Sequence, residues 1–283
     1  ADARTLTPDP RGVSYLRTLD DADHLLQLLN ERVHKNAVVI GGGFIACEYL
    51  NLFSHFSIPT FFALRGPCIW SHTFDKQTGD LVTRHLREHG VNVETDCSLI
   101  ELQGEKELTG VKMAHHQIDC TIAGVGIGVE PELGWLKEAG VEVGKGILAN
   151  AFLETNVRDV YTAGDVAEFF DPITARHLHI GNWMNAQMQG RVVARTMNGE
   201  RTEFRLVSSY ATNVLGLEII FVGDTSSEAA EEIKILGSEA QGGVTQLFMR
   251  KGRLVGATIV GRNADRAQIT KRIEKGDGID GLA

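Results

Sequence analysis

Apolar residues in the first half of the chain follow two alternating spacings. Residues 37–40 and 60–64 are short, almost unbroken apolar runs, which are typical of strands buried on both faces. Helical spacing predicts helices over residues 20–32, 44–56 and 76–89, the last of them ending before Gly90. Strands that alternate with helices in this way predict a parallel sheet covered by helices.

The rest of the chain has a different texture. Short strands predicted at 91–94, 99–102, 111–114 and 119–125 add a small antiparallel part. Glycine-rich turns become frequent from Gly126, and a strand at 160–163 precedes a helix over Trp183–Met197 with Asn182 as its N-cap. Beyond residue 203 the pattern predicts strands, two short helices and a hairpin that turns at Lys251-Gly252. This last part is predicted to be a separate α+β domain.

Composition narrows the classes of function. The chain has 283 residues, 43% of them hydrophobic, and a formal net charge of −9, so several globular domains are expected. The negative charge gives no footprint for nucleic acid, and no apolar stretch is long enough to span a bilayer. The first residues lack the apolar core of a signal peptide, and none of the four cysteines forms a CxxC pair. A cytoplasmic protein without nucleic-acid or membrane partners is therefore expected.

A glycine-rich turn separates a strand from a helix in residues 35–48. Gly41 permits the tight turn, Gly43 lets the backbone approach a phosphate, and Ala46 allows the helix to pack closely on the strand. The helix that opens at this turn directs free N–H groups and the positive end of its dipole at the anion. We therefore predict a dinucleotide site whose residues are Gly41, Gly42, Gly43, Phe44, Ile45 and Ala46. An ordinary glycine-rich turn is the alternative.

The end of the next strand bears on the choice of nicotinamide cofactor. NAD-preferring sites place Asp or Glu about 20 residues after the glycines, where the carboxylate binds the ribose 2′-hydroxyl. That place has no acid here, and Leu64 is followed by Arg65, which suits a 2′-phosphate. NADPH is therefore favoured over NADH, although an arginine at such a turn is often only a surface charge.

Four segments in fixed order carry a resemblance to a known family. They are residues 41–48, residues 122–131 with Gly126, residues 155–165 with Gly164, and residues 181–190. Together they resemble the FAD-dependent pyridine nucleotide–disulfide oxidoreductase superfamily, in particular its ferredoxin, rubredoxin and nitrite reductase-like branch. Family members begin with a further glycine-rich strand–turn–helix for the ADP half of FAD, and this chain starts after that point.

The resemblance implies an α/β fold in which a Rossmann-like NAD(P)-binding domain is inserted in an incomplete Rossmann-like FAD domain. A C-terminal α+β domain follows. The implied parts are a connector from the FAD domain at 1–19, the NAD(P)-binding domain at 20–127, the C-terminal part of the FAD-binding domain at 128–202 and the reductase C-terminal domain at 203–283.

The resemblance also implies roles on the flavin side. Asp165 matches the acid that hydrogen-bonds the ribityl chain, with Gly164 giving a close backbone approach; an Asp in a plain β-turn is the alternative. Asn182 and Trp183 begin the helix whose N-terminus faces the flavin pyrimidine oxygen. Trp183 either flanks the isoalloxazine or is a core aromatic residue.

Roles on the nicotinamide side follow in the same way. Phe44 matches an aromatic gate over the flavin face, with a core residue as the alternative. Glu48 matches the acid that contacts the nicotinamide amide, with a solvated helix acid as the alternative. Gly126 is included among the cofactor-binding residues.

The activity that the resemblance implies is that of an FAD-dependent NAD(P)H oxidoreductase. Hydride passes from nicotinamide to flavin, and the electrons go on to a small-molecule or electron-transfer-protein acceptor. The cofactors do the bond-making, so no catalytic side chain is predicted, and no metal site is predicted, because His177-x-His179 lacks a carboxylate or Cys at ligand spacing. The alternative is a truncated, non-catalytic NAD(P)-binding module without flavin. For the C-terminal domain, a homodimer contact and docking of a partner are both open.

Overall fold

The structure is a computed structural model that describes residues 10–31 and 35–282. The chain divides into two compact units. The first extends to Gly128 and includes Thr212–Ile219, and the second contains the remainder. Residues 1–9 of the predicted connector and the C-terminal end of the first predicted helix lie outside the described residues. The four-part domain division stays a prediction.

The first unit is built on a parallel sheet. The elements of this unit, in chain order, are β1 (Val13–Ser14), α1 (Leu19–Asn30), β2 (Ala37–Ile40), α2 (Phe44–His55), β3 (Thr60–Ala63), α3 (Lys76–Glu88), β4 (Val91–Glu94), β5 (Leu99–Gln103), β6 (Gly110–Met113), β7 (Gln117–Asp119) and β8 (Ile122–Val125). The strands of the sheet have the order β1-β8-β2-β3-β4, and every neighbouring pair is parallel, which confirms the predicted sheet.

The prediction of one strand over 119–125 was wrong. The chain leaves β7, which pairs antiparallel with β6 in the sheet β5-β6-β7, and enters β8, which lies in the parallel sheet. The apolar run therefore serves two sheets. The fully buried β2 lies between β8 and β3, so the glycine turn follows the carboxyl end of a central strand.

The later elements belong to the second unit, apart from residues 212–219. They are α4 (Gly134–Glu138), β9 (Ile147–Ala149), β10 (Ala167–Asp171), β11 (Arg176–His179), α5 (Trp183–Met197), β12 (Ser209–Val214), β13 (Leu217–Gly223), β14 (Glu232–Ser238), β15 (Gly243–Arg250), β16 (Arg253–Val260) and α6 (Arg266–Lys275). Strands β11-β10-β9 form one sheet, and strands β12-β13-β16-β15-β14 form another. Residues 212–219, which lie in this second sheet and its first turn, are assigned to the first unit.

Predictions for this second part had mixed outcomes. Helix α5 and its N-cap Asn182 are confirmed, and so is the hairpin turn at Lys251 and Gly252, which both have positive φ angles. The predicted strand at 160–163 was wrong, because this segment makes only an isolated bridge between Tyr161 and Glu154. A strand needs a continuous pairing partner, which the segment does not have.

Two further findings concern chemistry and membranes. All four cysteines are free and buried, and burial raises the pKa of the Cys47 and Cys120 thiols to about 12, so these thiols are unreactive. In the part of the chain that the structure describes, no helix is long and apolar enough to cross a bilayer.

Candidate functional site

The glycine turn after β2 is closed by Gly126, which directly follows β8. Gly41 has a φ angle of 117°, and a Cβ atom at this position would collide with the carbonyl group of Gly126. The Gly126 N–H donates to the carbonyl oxygen of Ile40 at 2.8 Å. Gly41 therefore excludes a side chain, and the structure brings together two sequence-predicted site residues that are far apart in the chain.

The start of α2 is an open, uncapped helix terminus. Gly43 is the N-cap residue and makes no side-chain cap hydrogen bond, and a Cβ atom placed on it would meet no atom within 4 Å. No side-chain hydrogen bond from the N-cap residue therefore occupies this helix terminus, where the helix dipole favours an anion. Ala46 is fully buried beside Gly126, whose own Cβ would lie 3.1 Å from the Ala46 nitrogen. The backbone alone forms this cradle.

An aromatic residue that sequence reasoning missed braces the turn. Trp70, in the loop after β3, donates its backbone N–H to the carbonyl oxygen of Gly42 at 3.0 Å. Its ring centroid lies 5.2 Å from that of Phe44, which is 36% exposed and therefore not a core residue. No spacing rule marks Trp70, because its contact depends on how the loop folds back.

The other residues predicted on this side are exposed. Ile45 is 37% exposed in the first turn of α2, and Glu48 is exposed one turn later. Arg65 lies at the bend after β3, exposed, and makes no hydrogen bond or ion pair with any residue that the structure describes. The guanidinium is thus available to an anionic ligand.

A second turn, in the other unit, presents a carboxylate. Gly164 has a φ angle of 85°, and its N–H donates to Oε1 of the fully buried Gln189 at 2.7 Å. Asp165 follows on the exposed turn. A Cβ atom on Gly181 would lie 3.3 Å from the Asp165 carboxyl carbon, so the carboxylate lies against the residue that precedes the N-cap of α5.

The start of α5 differs from that of α2 because a side chain caps it. The Oδ1 atom of Asn182 accepts from the N–H of Asn185 at 2.8 Å, and its Nδ2 donates to the hydroxyl of Ser208 at 2.9 Å. Trp183 is 76% exposed, so the alternative of a core aromatic residue was wrong. The first residue of α5 therefore presents an open aromatic surface beside the Asp165 turn.

Three buried polar atoms, on α5 or just before this turn in the chain, have no partner in the part of the chain that the structure describes. Asn185 Oδ1, Gln189 Nε2 and Thr162 Oγ1 are inaccessible and have no hydrogen-bond partner among the described residues. Their residues flank the Gly164-Asp165 turn in sequence or lie on α5. Buried polar groups are nearly always satisfied, so these atoms fit a site that takes a polar ligand or ordered water.

The described side chains do not assemble a metal site. Among residues 10–31 and 35–282, no group of three His, Cys, Asp or Glu side chains is placed to hold an ion. His179 of the His177-x-His179 pair instead contacts the Asp165 carbonyl oxygen through Nε2 at 2.7 Å.

Comparison with known proteins gives a consistent result. A family model described as "Pyridine nucleotide-disulphide oxidoreductase" matches residues 3–190. The chain is 24% identical over 271 residues to the nitrite reductase [NAD(P)H] of Bacillus subtilis, with 94% of this chain and 32% of that protein covered. It is 27% identical over 244 residues to the ferredoxin–NAD(+) reductase component of the biphenyl dioxygenase system of Paraburkholderia xenovorans, with 86% and 58% covered.

The fold likeness is extensive. A crystal structure of a ferredoxin reductase from Rhodopseudomonas palustris superimposes with a TM-score of 0.85 at 23% identity, over 96% of this chain and 68% of that one. At this identity the likeness concerns the fold alone, an α/β architecture. The chain spans about a third to three fifths of the length of the two curated relatives above.

Proposed function

The chain belongs to the pyridine nucleotide-disulphide oxidoreductase family, and we propose that it is the NAD(P)H-oxidising part of a flavoprotein reductase. One observation carries the proposal: each unit has its own nucleotide-type turn at the N-terminus of a helix, Gly41–Gly43 before α2 and Gly164-Asp165 beside α5. A protein that binds only a nicotinamide nucleotide has no use for the second turn. Of the two curated relatives named above, one has NAD(P)H in its name and the other has ferredoxin and NAD(+).

The first turn fits the pyrophosphate of a nicotinamide nucleotide. Gly43 leaves the space above α2 open and its helix N–H groups uncapped, which are the requirements of such a site. We propose that Phe44, Ile45 and Glu48 face the nicotinamide half. The exposed Glu48 suits the carboxamide, because a carboxylate accepts from its NH2 group.

The second turn fits part of a flavin nucleotide. The Asp165 carboxylate suits the hydroxyls of a polyol, and the orphaned Asn185 and Gln189 atoms lie on the helix that begins beside it. Gly164, Asn182 and Trp183 complete the proposed set. The N-terminus of α5 contributes positive potential to any negative charge that develops in front of it.

The chemistry divides between cofactors and protein. When bound, the nicotinamide supplies a hydride and the flavin takes it up and passes the electrons on. The residues of this chain bind and orient: Gly41 and Gly43 shape an anion cradle, Asp165 accepts hydrogen bonds, and the two helix termini supply fixed dipoles. Proton transfer by a side chain is not part of the proposal, which agrees with the sequence prediction of no catalytic residue.

The proposal extends to the cofactor and to the acceptor. Arg65 is exposed at the bend after β3 and unpaired among described residues, so it favours NADPH, whose 2′-phosphate it can bind.

We propose an electron-transfer protein as acceptor, in line with the reductase component of the biphenyl dioxygenase system. We also propose the parts 20–127, 128–202 and 203–283 as NAD(P)-binding, flavin-binding and C-terminal domains. Light scattering with and without the acceptor separates a homodimer contact from acceptor docking in 203–283.

The test is a titration of the purified chain with FAD, NADPH and NADH. Quenching of flavin fluorescence reports FAD binding, and oxidation of NADPH with a dye acceptor reports turnover. Binding of both nucleotides with turnover supports the reductase. Binding of NADPH without FAD supports the alternative, a nucleotide-binding module without flavin. Binding of neither contradicts both.

A further inference from the structure

The Gly164-Asp165 turn is held from two sides by side chains. Gln189, fully buried on α5, accepts the Gly164 N–H at 2.7 Å. His179, at the end of β11, contacts the Asp165 carbonyl oxygen at 2.7 Å through Nε2. The turn also closes on itself, because the Ala167 N–H donates to the Gly164 carbonyl oxygen at 3.0 Å.

The direction of the His179 contact is fixed by chemistry. A carbonyl oxygen can only accept, so Nε2 of His179 carries the hydrogen and donates it. One edge of the exposed ring lies against the Gly146 backbone, because a Cβ atom on Gly146 would lie 3.1 Å from its Cδ2. His179 pairs with Glu168 across β11 and β10, and β10 begins two residues after Asp165. The donor, His179, therefore lies on the strand that pairs with the strand directly after the turn.

The Asp165 carboxylate, by contrast, is not held by a side chain. It makes no hydrogen bond or ion pair with a described residue and is exposed. Its position depends on the backbone of the turn, with Gly181 as the neighbouring surface. Whatever fixes the carbonyl of Asp165 also fixes the direction in which its side chain leaves the turn.

We propose that His179 is a positioning residue of the flavin site. Together with Gln189 it clamps the turn, so that the carboxylate is set for the hydroxyls of a polyol before the ligand arrives. The inference rests on the proposed function, because it assigns the clamp to that same site. A turn that is already fixed binds more tightly, since less conformational freedom is lost on binding.

Three variants test the clamp. His179→Leu removes the donor at similar volume, and His179→Gln keeps an N–H donor at similar reach. His177→Leu is the matched control, because His177 lies two residues earlier on β11 and packs on Phe170, with a ring separation of 5.7 Å, instead of on the turn. We expect His179→Leu to weaken FAD binding about tenfold, and His179→Gln and His177→Leu to stay within about twofold of the unmutated chain.

Amide hydrogen exchange provides a readout without flavin. In the FAD-free chain, the Gly164 and Ala167 amides should exchange about tenfold faster in His179→Leu and at the unmutated rate in His177→Leu. The positioning role is overturned if His179→Leu binds FAD normally, or if His179→Gln is as weak as His179→Leu. If the unmutated chain binds no FAD, the proposed function is contradicted, whatever the exchange rates are. If the Gly164 and Ala167 amides exchange at the same rate in His179→Leu as in the unmutated chain, His179 does not clamp the turn.

Discussion

The two turns solve the same problem with different materials. The turn before α2 is shaped by backbone atoms alone: Gly41 has no room for a side chain, Gly43 leaves open space, and the helix that follows has no side-chain cap. The turn beside α5 is made of side chains: Gln189 and His179 hold its backbone, and Asn182 caps the helix. The glycines that shape the first turn lie in one short segment, with Gly126 closing it from the end of β8, whereas the second turn depends on side chains up to 25 positions away.

The difference has a physical origin in the proposed ligands. A pyrophosphate carries full negative charge and is satisfied by helix N–H groups at close range. A polyol is neutral and needs an acceptor with a defined direction, which a backbone N–H cannot supply. The first turn should therefore be sensitive to added atoms, and the second to removed hydrogen-bonding groups.

The largest effect is expected from Gly41→Ala. Its φ angle of 117° and the approach of Gly126 leave no room for a methyl group, so we expect a loss of about 3 kcal/mol in the free energy of unfolding. Binding of NADPH should fall at least about tenfold, because the turn cannot keep its shape. Urea unfolding and fluorescence titration measure the two. An unchanged unfolding free energy would contradict the backbone account.

Gly43→Ala is the partner experiment. Its φ angle is −118° and its Cβ would meet nothing within 4 Å, so the unfolding free energy should fall by no more than about 1 kcal/mol, the cost of alanine at an N-cap. The methyl group enters the space proposed for the pyrophosphate, so NADPH binding should weaken about tenfold. Normal binding by a folded Gly43→Ala protein would place the ligand elsewhere.

Arg65→Ala tests the one side chain that we propose for the adenosine end of the first site. Loss of a charge-assisted hydrogen bond should raise the Kd for NADPH about tenfold, while the Kd for NADH stays the same. NADH is the internal control, because it lacks only the 2′-phosphate. Equal changes for both nucleotides, or none, would refute the assignment of Arg65.

Asn182→Ala measures how far the second turn depends on side chains. It removes the cap on α5, and the free energy of unfolding should fall by about 1 kcal/mol. Asn182→Asp keeps an acceptor for the Asn185 N–H and serves as the control in the same urea unfolding experiment. An Asn182→Ala protein as stable as the control would mean that this helix start, like that of α2, needs no side-chain cap.

The smallest effect concerns acid. Bidentate hydrogen bonds from Arg201, followed by one from Asn150, lower the pKa of Glu154 from its usual 4.5 to about 2. A lowered folded-state pKa stabilises the protein above the unfolded pKa, and this stabilisation is lost as the pH falls from 4.5 towards 2. Glu154→Gln should therefore cost about 1 kcal/mol or less at neutral pH and progressively less in acid. Urea midpoints of both proteins across this pH range check it; a constant difference would contradict the ion pair.

The contrast between the turns also explains what the sequence could predict. Strand β2, helix α5 and the hairpin turn at Lys251-Gly252 follow from local spacing, capping and turn chemistry, and all three are confirmed. The strand predicted at 119–125 failed because local apolarity does not say where a run changes sheets at Cys120. Pairing is a property of the whole fold, and single-sequence patterns do not contain it.

The site shows the same division. Gly41 and Gly43 are recognisable because one segment contains both the strand and the helix. Gly126, Trp70 and His179 act at places determined by tertiary contacts: a carbonyl against Gly41, an N–H to Gly42, and a donor to Asp165. The motif at 122–131 indicated Gly126, but nothing local indicated Trp70 or His179.

The tryptophans give each turn an optical probe of its own. Trp70 is half-buried in the first unit, with its ring tilted against that of Phe44, so its emission should lie at shorter wavelength. Trp183, 76% exposed at the start of α5, should emit to the red, as should Trp135, which is 66% exposed. Tryptophan emission overlaps the absorption band of reduced nicotinamide, so energy transfer would dim the blue component when the first turn fills. Iodide quenches exposed rings preferentially, so it would remove the long-wavelength emission of Trp183 and Trp135 and leave the emission of Trp70 to be measured.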